Sequence, residues 1–383
     1  MKYFERILDL RSESQKKSLL LFGPRQTGKS FLLKKHFPES NYYNLLHSDE
    51  FIRLAQRPQR IREEISALPE ERKVHPVIID EIQKLPVLLD EVHAMIEEFG
   101  MTFIVTGSSP RKLKRGSANL LGGRARTRKL FPLVYHEIPD FDLVRVCNVG
   151  SIPSIYLSDE PRQDLLSYCG TYLKEEVQAE GLVRKIENFS RFLEVAALAD
   201  GELLNIQNLA NDTGVSAATL REYISILEDT LLACVLKPFK RNIHRKSIST
   251  AKLYLFDIGV SNVLAYRRNI QVKSELFGKS FEHLIHNELF SYLSYRKDER
   301  PLTFWRDRYG HEVDFIIGDE VCIEVKASDN ITGKHLKNIR MLGEEVAFKK
   351  KLIVSLDHHP RKVGDITILP WQYFLSRLWE DEF

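Results

Sequence analysis

Cysteine is scarce in this 383-residue chain: there are four, at positions 147, 169, 234 and 322. They form no C-x-x-C pair and no spacing of metal ligands, which argues against a disulfide or zinc framework and for a reducing, cytoplasmic setting. Long apolar runs are missing too. No stretch approaches the roughly 20 apolar residues that a membrane span requires, and Met1-Lys2-Tyr3-Phe4-Glu5-Arg6 carries no apolar secretory segment. Neither secretion nor membrane anchoring is expected. A surplus of one charge is also absent, since 56 Lys and Arg against 53 Asp and Glu leave +3. Any grip on nucleic acid must therefore come from local patches rather than from the overall field. What is present is an ordinary globular composition, 43% hydrophobic and 28% charged, in a chain long enough for two or three domains with cores of their own.

The apolar run Leu19-Leu20-Leu21-Phe22 leads into Gly23-Pro24-Arg25-Gln26-Thr27-Gly28-Lys29-Ser30. Strand followed by G-x-x-x-x-G-K-S is the phosphate-binding loop of a nucleotidase. Gly23 and Gly28 let backbone N–H groups turn inward around the phosphates, Lys29 sets a point charge on the β- and γ-phosphates, and Ser30 reaches Mg2+. A helix opening near Gly28 adds its positive end to the same anion. The motif gains weight from a second one downstream. Val77-Ile78-Ile79-Asp80-Glu81 is a buried-strand pattern ending in two carboxylates, the first suited to the Mg2+ shell and the second to polarising the attacking water.

Between residues 17 and 140 strand-like and helix-like segments alternate. Strands are expected at 19–22, 41–45, 77–80 and 102–106, with helices after Lys29, over 51–68 and over 87–99. Such alternation predicts a parallel sheet covered by helices on both faces. The strand at 102–106 runs into Thr106-Gly107-Ser108-Ser109, where Ser108 is either a sensor of the γ-phosphate or part of a plain turn. From Ser108 to His136 there is no acid, while Arg111, Lys112, Lys114, Arg115, Arg124, Arg126, Arg128 and Lys129 supply eight cations. This reads as a solvated or nucleic-acid-facing loop.

From Asp164 to Ala199 the apolar spacing is helical, with no chemistry visible. Residues 205–239 read more sharply. Ile206–Asn211 forms a short helix, Gly214 breaks it, and Ser216 can cap the next, which continues to Leu227. That is a helix-turn-helix. Strands at 231–236 and 252–256 then bracket a segment in which six Lys or Arg residues lie between Lys237 and Lys252 without an acid. A winged helix with a basic wing is implied, serving either DNA phosphates or packing within an ATPase lid.

Beyond Phe277-Gly278-Lys279 a helix carries Glu282, His283, His286 and Glu288, and a hairpin carries Glu312-Val313-Asp314 and Ile323-Glu324-Val325-Lys326. In adjacent antiparallel strands Asp314 and Glu324 face each other, and period-two alternation sets Lys326 on the same face as Glu324. Two carboxylates with a helix acid, Glu282 or in its place Glu288, suit Mg2+ or Mn2+, and the lysine can orient or deprotonate water for phosphodiester attack. The competing reading is an edge strand solubilised by alternating charge. His283 and His286, like His358-His359, lack further ligands at suitable spacing and read as packing or surface residues.

Taken together, G-P-R-Q-T-G-K-S at 23–30, V-I-I-D-E-I-Q-K-L-P at 77–86, T-G-S-S at 106–109, L-L-G-G-R at 120–124, K-L-Y-L-F-D-I-G at 252–259, F-E-H-L-I-H-N-E-L at 281–289 and E-V-D-F-I-I with I-E-V-K-A-S resemble a prokaryotic family. These are AAA-superfamily ATPases with a C-terminal domain of unknown function, and the resemblance covers nearly the whole chain. It implies an α/β protein in three parts: an AAA-type ATPase core over 1–145, a helical lid and winged helix-turn-helix over 146–265, and a restriction-endonuclease-like, PD-(D/E)XK-type domain over 266–383. By the same resemblance Arg124, or Arg126, reaches the γ-phosphate of a neighbouring subunit in a homo-oligomer or ring; contact with the DNA backbone and simple solubility are the other readings. The expected activity is ATP hydrolysis with Mg2+ coupled to binding or remodelling DNA, branched or forked forms included. The distal acids would grip or cut the strand. The alternative is a nucleotide-gated switch acting on a protein partner.

Overall fold

The computed structural model describes residues 3–111, 120–172, 186–240 and 248–383. These form two compact units, one of residues 3–131 with 229–232, the other of 132–228 with 233–383.

The first unit is built on a five-stranded sheet in the order β2-β3-β4-β1-β5. Its strands are β1 (Ser18–Phe22), β2 (Tyr42–Asn44), β3 (Val77–Asp80), β4 (Phe103–Gly107) and β5 (Ala125–Lys129), and every pairing is parallel. The three central strands are buried along their whole length, as continuous apolar runs demand when helices cover both faces. Phe22, Ile79, Val105, Leu54, Ile61 and Met95 meet in the core. Because β4 lies between β1 and β3, the loops leaving the carboxyl ends of all three open side by side. Parallel sheets place their ligand sites at such a point.

Two local expectations are corrected. The segment 51–68 is not one helix but two, Ser48–Gln56 and Arg60–Ser66. Pro58 stands between them, where a ring in place of an N–H stops a helix. The basic run is not wholly a loop either, because Ala125–Lys129 is the edge strand β5, paired with β1. Charged residues on an edge strand discourage pairing with another chain, which is why its composition resembles that of a loop. Lys112, Lys114 and Arg115 lie outside the described residues.

The second unit carries an eight-stranded sheet in the order β12-β13-β11-β10-β9-β8-β6-β7. Its strands are β6 (Ala233–Pro238), β7 (Lys252–Leu255), β8 (Leu302–Arg306), β9 (Glu312–Ile317), β10 (Val321–Lys326), β11 (Lys350–Ser355), β12 (Arg361–Val363) and β13 (Ile366–Pro370). Before β6 come the helices Ile186–Leu198, Ile206–Thr213 and Ala217–Asp229. Asn205 caps the second by accepting from the Gln207 and Asn208 N–H groups, and Gly214 ends it with φ 66°. The Ser216 hydroxyl accepts the Thr219 N–H at 3.2 Å and caps the third. β6 and β7 form an antiparallel hairpin; residues 241–247, which hold most of the expected basic wing, lie outside the described residues. The other edge of β6 pairs with β8 in parallel, which ties the hairpin into the same sheet as β9 and β10. The helix Glu275–Arg296 packs against this sheet and buries Phe277, Phe281, Leu284, Ile285 and Leu289.

Candidate active sites

Backbone geometry shapes the amino-terminal site first. A Cβ on Gly23 would sit 2.3 Å from the Leu130 carbonyl oxygen, so only glycine lets the loop pass that strand end. Gly28 has φ 91° and caps the helix Lys29–His36, pointing the helix's free N–H groups into the loop. The Lys29 ammonium, 6% exposed, donates to the Gly23 carbonyl at 2.6 Å and the Pro24 carbonyl at 3.0 Å. Thr27 Oγ1 closes the turn onto the Pro24 carbonyl at 2.9 Å. Of the remaining loop residues, Arg25 and Ser30 are half-buried and Gln26 is exposed. A buried residue with no motif around it, Arg6, braces the loop: its guanidinium donates to the carbonyls of Thr27 and Phe131, both at 2.7 Å.

Asp80 is 1% exposed and accepts hydrogen bonds from the Tyr42 phenol and the Thr106 hydroxyl. Burial first, and then the Asp80 charge, push the Tyr42 phenol well above its usual range, so it stays a donor. Glu81 adopts φ 64°, a left-handed conformation seldom taken by a residue with a side chain, and its N–H meets Thr106 Oγ1 at 3.2 Å. Its carboxylate accepts from Gln83 Nε2, which also lies 3.5 Å from the Ser108 hydroxyl. Gln83 thus links Glu81 to Ser108. Nothing in its spacing singles it out, because the role depends on the backbone turn at Glu81. The donor set of this site is all oxygen, the Ser30 hydroxyl and the Asp80 carboxylate, which suits Mg2+.

Arg124 is not near this loop in its own chain. Ala125 pairs with Ser18, so Arg124 stands at the end of the sheet opposite the loop, where it forms an ion pair with Glu97. Arg126 is exposed on β5, and Arg128 pairs with Glu13.

The second cluster lies in the other unit. The β9–β10 register runs Ile317 to Val321, Ile316 to Cys322 and Phe315 to Ile323, which brings Asp314 beside Glu324. Asp314 Oδ2 accepts the Val325 N–H at 2.7 Å. The Lys326 ammonium lies 2.7 Å from Glu324 Oε1 and 3.8 Å from Asp314 Oδ2. Glu324 is 1% exposed, and its Oε2 is buried without a hydrogen-bond partner. Burial, then the neighbouring Asp314 charge, push the Glu324 carboxyl up to about 8. Burial also lifts Asp314 to about 6, with Lys326 holding it back.

Glu282 reaches this cluster from its helix, accepting from the Tyr254 phenol at 2.6 Å and from Lys252 at 3.1 Å. Burial works against its charge, but Lys252 and Tyr254 more than offset this and hold the carboxyl below its ordinary value. Glu312 joins through Lys252 and through Arg306 at 2.9 Å. Oxygen atoms of Glu282, Glu312 and Asp314 all lie within 4.8 Å of one another. Glu288 is elsewhere: it accepts the Tyr135 N–H and the Trp379 indole N–H, both at 2.7 Å. His283 and His286 serve packing. His283 bridges Asp200 at 2.7 Å and the Leu255 carbonyl at 2.6 Å, and His286 stacks on Tyr254 with ring centres 4.0 Å apart.

A family described as an AAA domain matches residues 15–139, the stretch that supplies the loop, Asp80, Glu81 and Ser108. The amino-terminal unit is a P-loop ATPase domain of the AAA type. Domains of unknown function match the rest, DUF8612 over 140–271 and DUF4143 over 277–374. An uncharacterised protein of Mycobacterium tuberculosis is 25% identical over 314 residues, 78% of this chain and 67% of that one. One from Haemophilus influenzae is 22% identical over 382 residues, 91% of this chain and 92% of that one. Among solved structures, the Orc1 protein of Aeropyrum pernix in complex with DNA is 14% identical, with 68% of this chain and 94% of that chain covered at a TM-score of 0.26. A likeness that low bears on neither fold nor function, and the fold rests on the sheet order and loop described above. Among the described residues no helix is long and apolar enough to cross a membrane.

Proposed function

We propose that this ATPase hydrolyses ATP with Lys29, Ser30, Asp80 and Glu81 and couples turnover to engaging or remodelling DNA. One observation carries the catalytic part: Lys29, Asp80 with Glu81, and Ser108 leave the carboxyl ends of the three adjacent strands β1, β3 and β4. In this reading Gly23, Pro24, Arg25, Gln26, Thr27 and Gly28 cradle the phosphates with their backbone, and Lys29 turns from the loop carbonyls to the β- and γ-phosphates. Asp80 and Ser30 hold Mg2+, which when bound would neutralise charge on the phosphate oxygens. Glu81 activates water, with Gln83 and Ser108 fixing its carboxylate. Arg124 or Arg126 would act on the site of a neighbouring subunit in a homo-oligomer, a reading supported by the position of Arg124 at the end of the sheet away from its own loop.

The coupling to DNA is supported by the helix-turn-helix followed by a hairpin, by the cations between Lys237 and Lys252, and by the Asp314–Glu324–Lys326 cluster. The division into a core over 1–145, a lid and winged helix over 146–265 and a restriction-endonuclease-like part over 266–383 belongs to the same proposal. At the distal cluster the unpartnered Glu324 Oε2 and the carboxylate donors fit Mg2+ or Mn2+, with Asp314 and Glu324 as ligands; Glu282, expected as a third, instead accepts from Lys252 and the Tyr254 phenol. The metal would supply Lewis acidity toward a phosphodiester. Lys326, held as an ammonium beside Glu324 and Asp314, would orient the attacking water rather than deprotonate it. The test is ATPase rate with Mg2+ in the presence of single-stranded, duplex and forked DNA. A rate rising with one of these, and DNA affinity falling steeply with salt, supports the coupling. A rate indifferent to all three, with weak binding, favours a nucleotide-gated switch acting on a protein partner.

A further inference from the structure

The distal cluster holds four carboxylates and more than one cation of its own. Of these cations Lys252 is the most enclosed, 3% exposed. It opens β7, where its backbone pairs with Leu236 of β6 and bridges to Leu203, so two main-chain contacts fix the root of the side chain. Its ammonium lies 5.4 Å from the centre of the Phe304 ring and ends between Glu282 and Glu312. Both acceptors are fixed in turn, Glu282 by the Tyr254 phenol at 2.6 Å and Glu312 by Arg306 at 2.9 Å. These are two of the three carboxylates whose oxygens converge within 4.8 Å. Magnesium takes oxygens at about 2.0–2.1 Å in near-octahedral array, whereas the ammonium holds Glu282 at 3.1 Å. A dication on these oxygens would sit against the ammonium, and the repulsion of the two positive charges in this buried site opposes sharing them.

We propose that Lys252 is a built-in cation which fills the Glu282–Glu312–Asp314 cluster, so that a divalent metal is confined to the neighbouring Asp314–Glu324 pair. The unpartnered, buried Glu324 Oε2 marks that pair as the open one. The statement about a metal at Asp314–Glu324 rests on the reading given under Proposed function; the statement about Lys252 does not. The distal site is then a one-metal site, its second cation position held by an ammonium delivered from the strand that closes the helix-turn-helix hairpin.

Mn2+ binding to the full chain, without nucleotide and after chelator treatment, tests this by counting bound ions in the paramagnetic resonance of free Mn2+. Lys252→Met keeps the apolar stem and removes the charge. It should bind one more Mn2+ per chain than the wild type, and Glu312→Gln added to it should remove the extra ion. Equal numbers in wild type and Lys252→Met, with unchanged circular dichroism, overturn the proposal, as does a wild type that already binds two at this cluster. If the wild type binds none and the variant one, Lys252 keeps its role and the metal at Asp314–Glu324 falls. Should Lys252→Met fail to fold, Lys252→Gln, which retains a donor toward Glu282, carries the same expectation.

Discussion

Gly23→Ala is the sharpest probe of the loop, because the obstacle is backbone rather than side chain. The new methyl carbon would lie 2.3 Å from the Leu130 carbonyl oxygen, 3.2 Å from its carbon and 3.3 Å from Thr27 Oγ1. Leu130 cannot yield easily, since its own N–H is bonded to the Phe22 carbonyl at 2.8 Å as the chain leaves β5. The loop must move instead. Forcing an extra methyl into a packed site costs about 1–3 kcal/mol, and each 1.4 kcal/mol is about tenfold in affinity. Gly23→Ala should therefore weaken Mg2+-ATP binding by about fivefold to 150-fold, lower the melting temperature, or divide the cost between the two. Gly28→Ala is the control: nothing lies within 4 Å of its Cβ and only φ 91° is strained, a cost of about 1–2 kcal/mol. Calorimetric titration with a slowly hydrolysed ATP analogue, alongside thermal unfolding, reads both. If Gly23→Ala binds and melts like the wild type, the close approach at Leu130 is wrong.

Glu81→Gln should retain ATP binding while turnover falls about 10²- to 10⁴-fold, the usual worth of a positioned base; unchanged turnover would remove Glu81 from the chemistry. Burial pushes the Glu288 carboxyl from 4.5 up to about 8, against the hydrogen bonds from Trp379 and Tyr135 that favour its charge. The folded chain thus keeps a proton that the unfolded chain releases, and stability should fall as pH rises from 4.5 to 8, by roughly 5 kcal/mol at most. Urea unfolding followed by tryptophan fluorescence should show this slope in the wild type and lose it in Glu288→Gln; parallel curves would refute it. If the distal site is active, DNA is cut with Mn2+ by the wild type and left intact by Lys326→Ala; no cutting across varied DNA forms would leave a binding module.

The sheet of the first unit is legible in the chain because Leu19–Phe22, Val77–Ile79 and Phe103–Val105 are apolar runs too short for helices, each leading into proposed site residues. β5 is not legible, since an edge strand has one hydrogen-bonded neighbour and tolerates the arginines that mark loops elsewhere. The break near Pro58 had its signal in the proline itself. Period-two alternation sufficed to bring Asp314, Glu324 and Lys326 together, because they lie on two strands joined by a tight turn. Lys252, Tyr254 and Arg6 were out of reach for the opposite reason: each meets its partners across 20 residues or more of chain, a distance that no local pattern encodes. Gln83 stood in plain view beside Glu81, but its role appears only once the backbone at Glu81 turns left-handed.

The measurement closest to the central claim is Mg2+-dependent ATP hydrolysis by purified wild type and Lys29→Ala. The wild type should bind adenine nucleotide and release phosphate, and the variant should lose turnover while keeping its circular dichroism. A wild type without affinity for ATP in the presence of Mg2+, or a Lys29→Ala variant that still turns over, would contradict it.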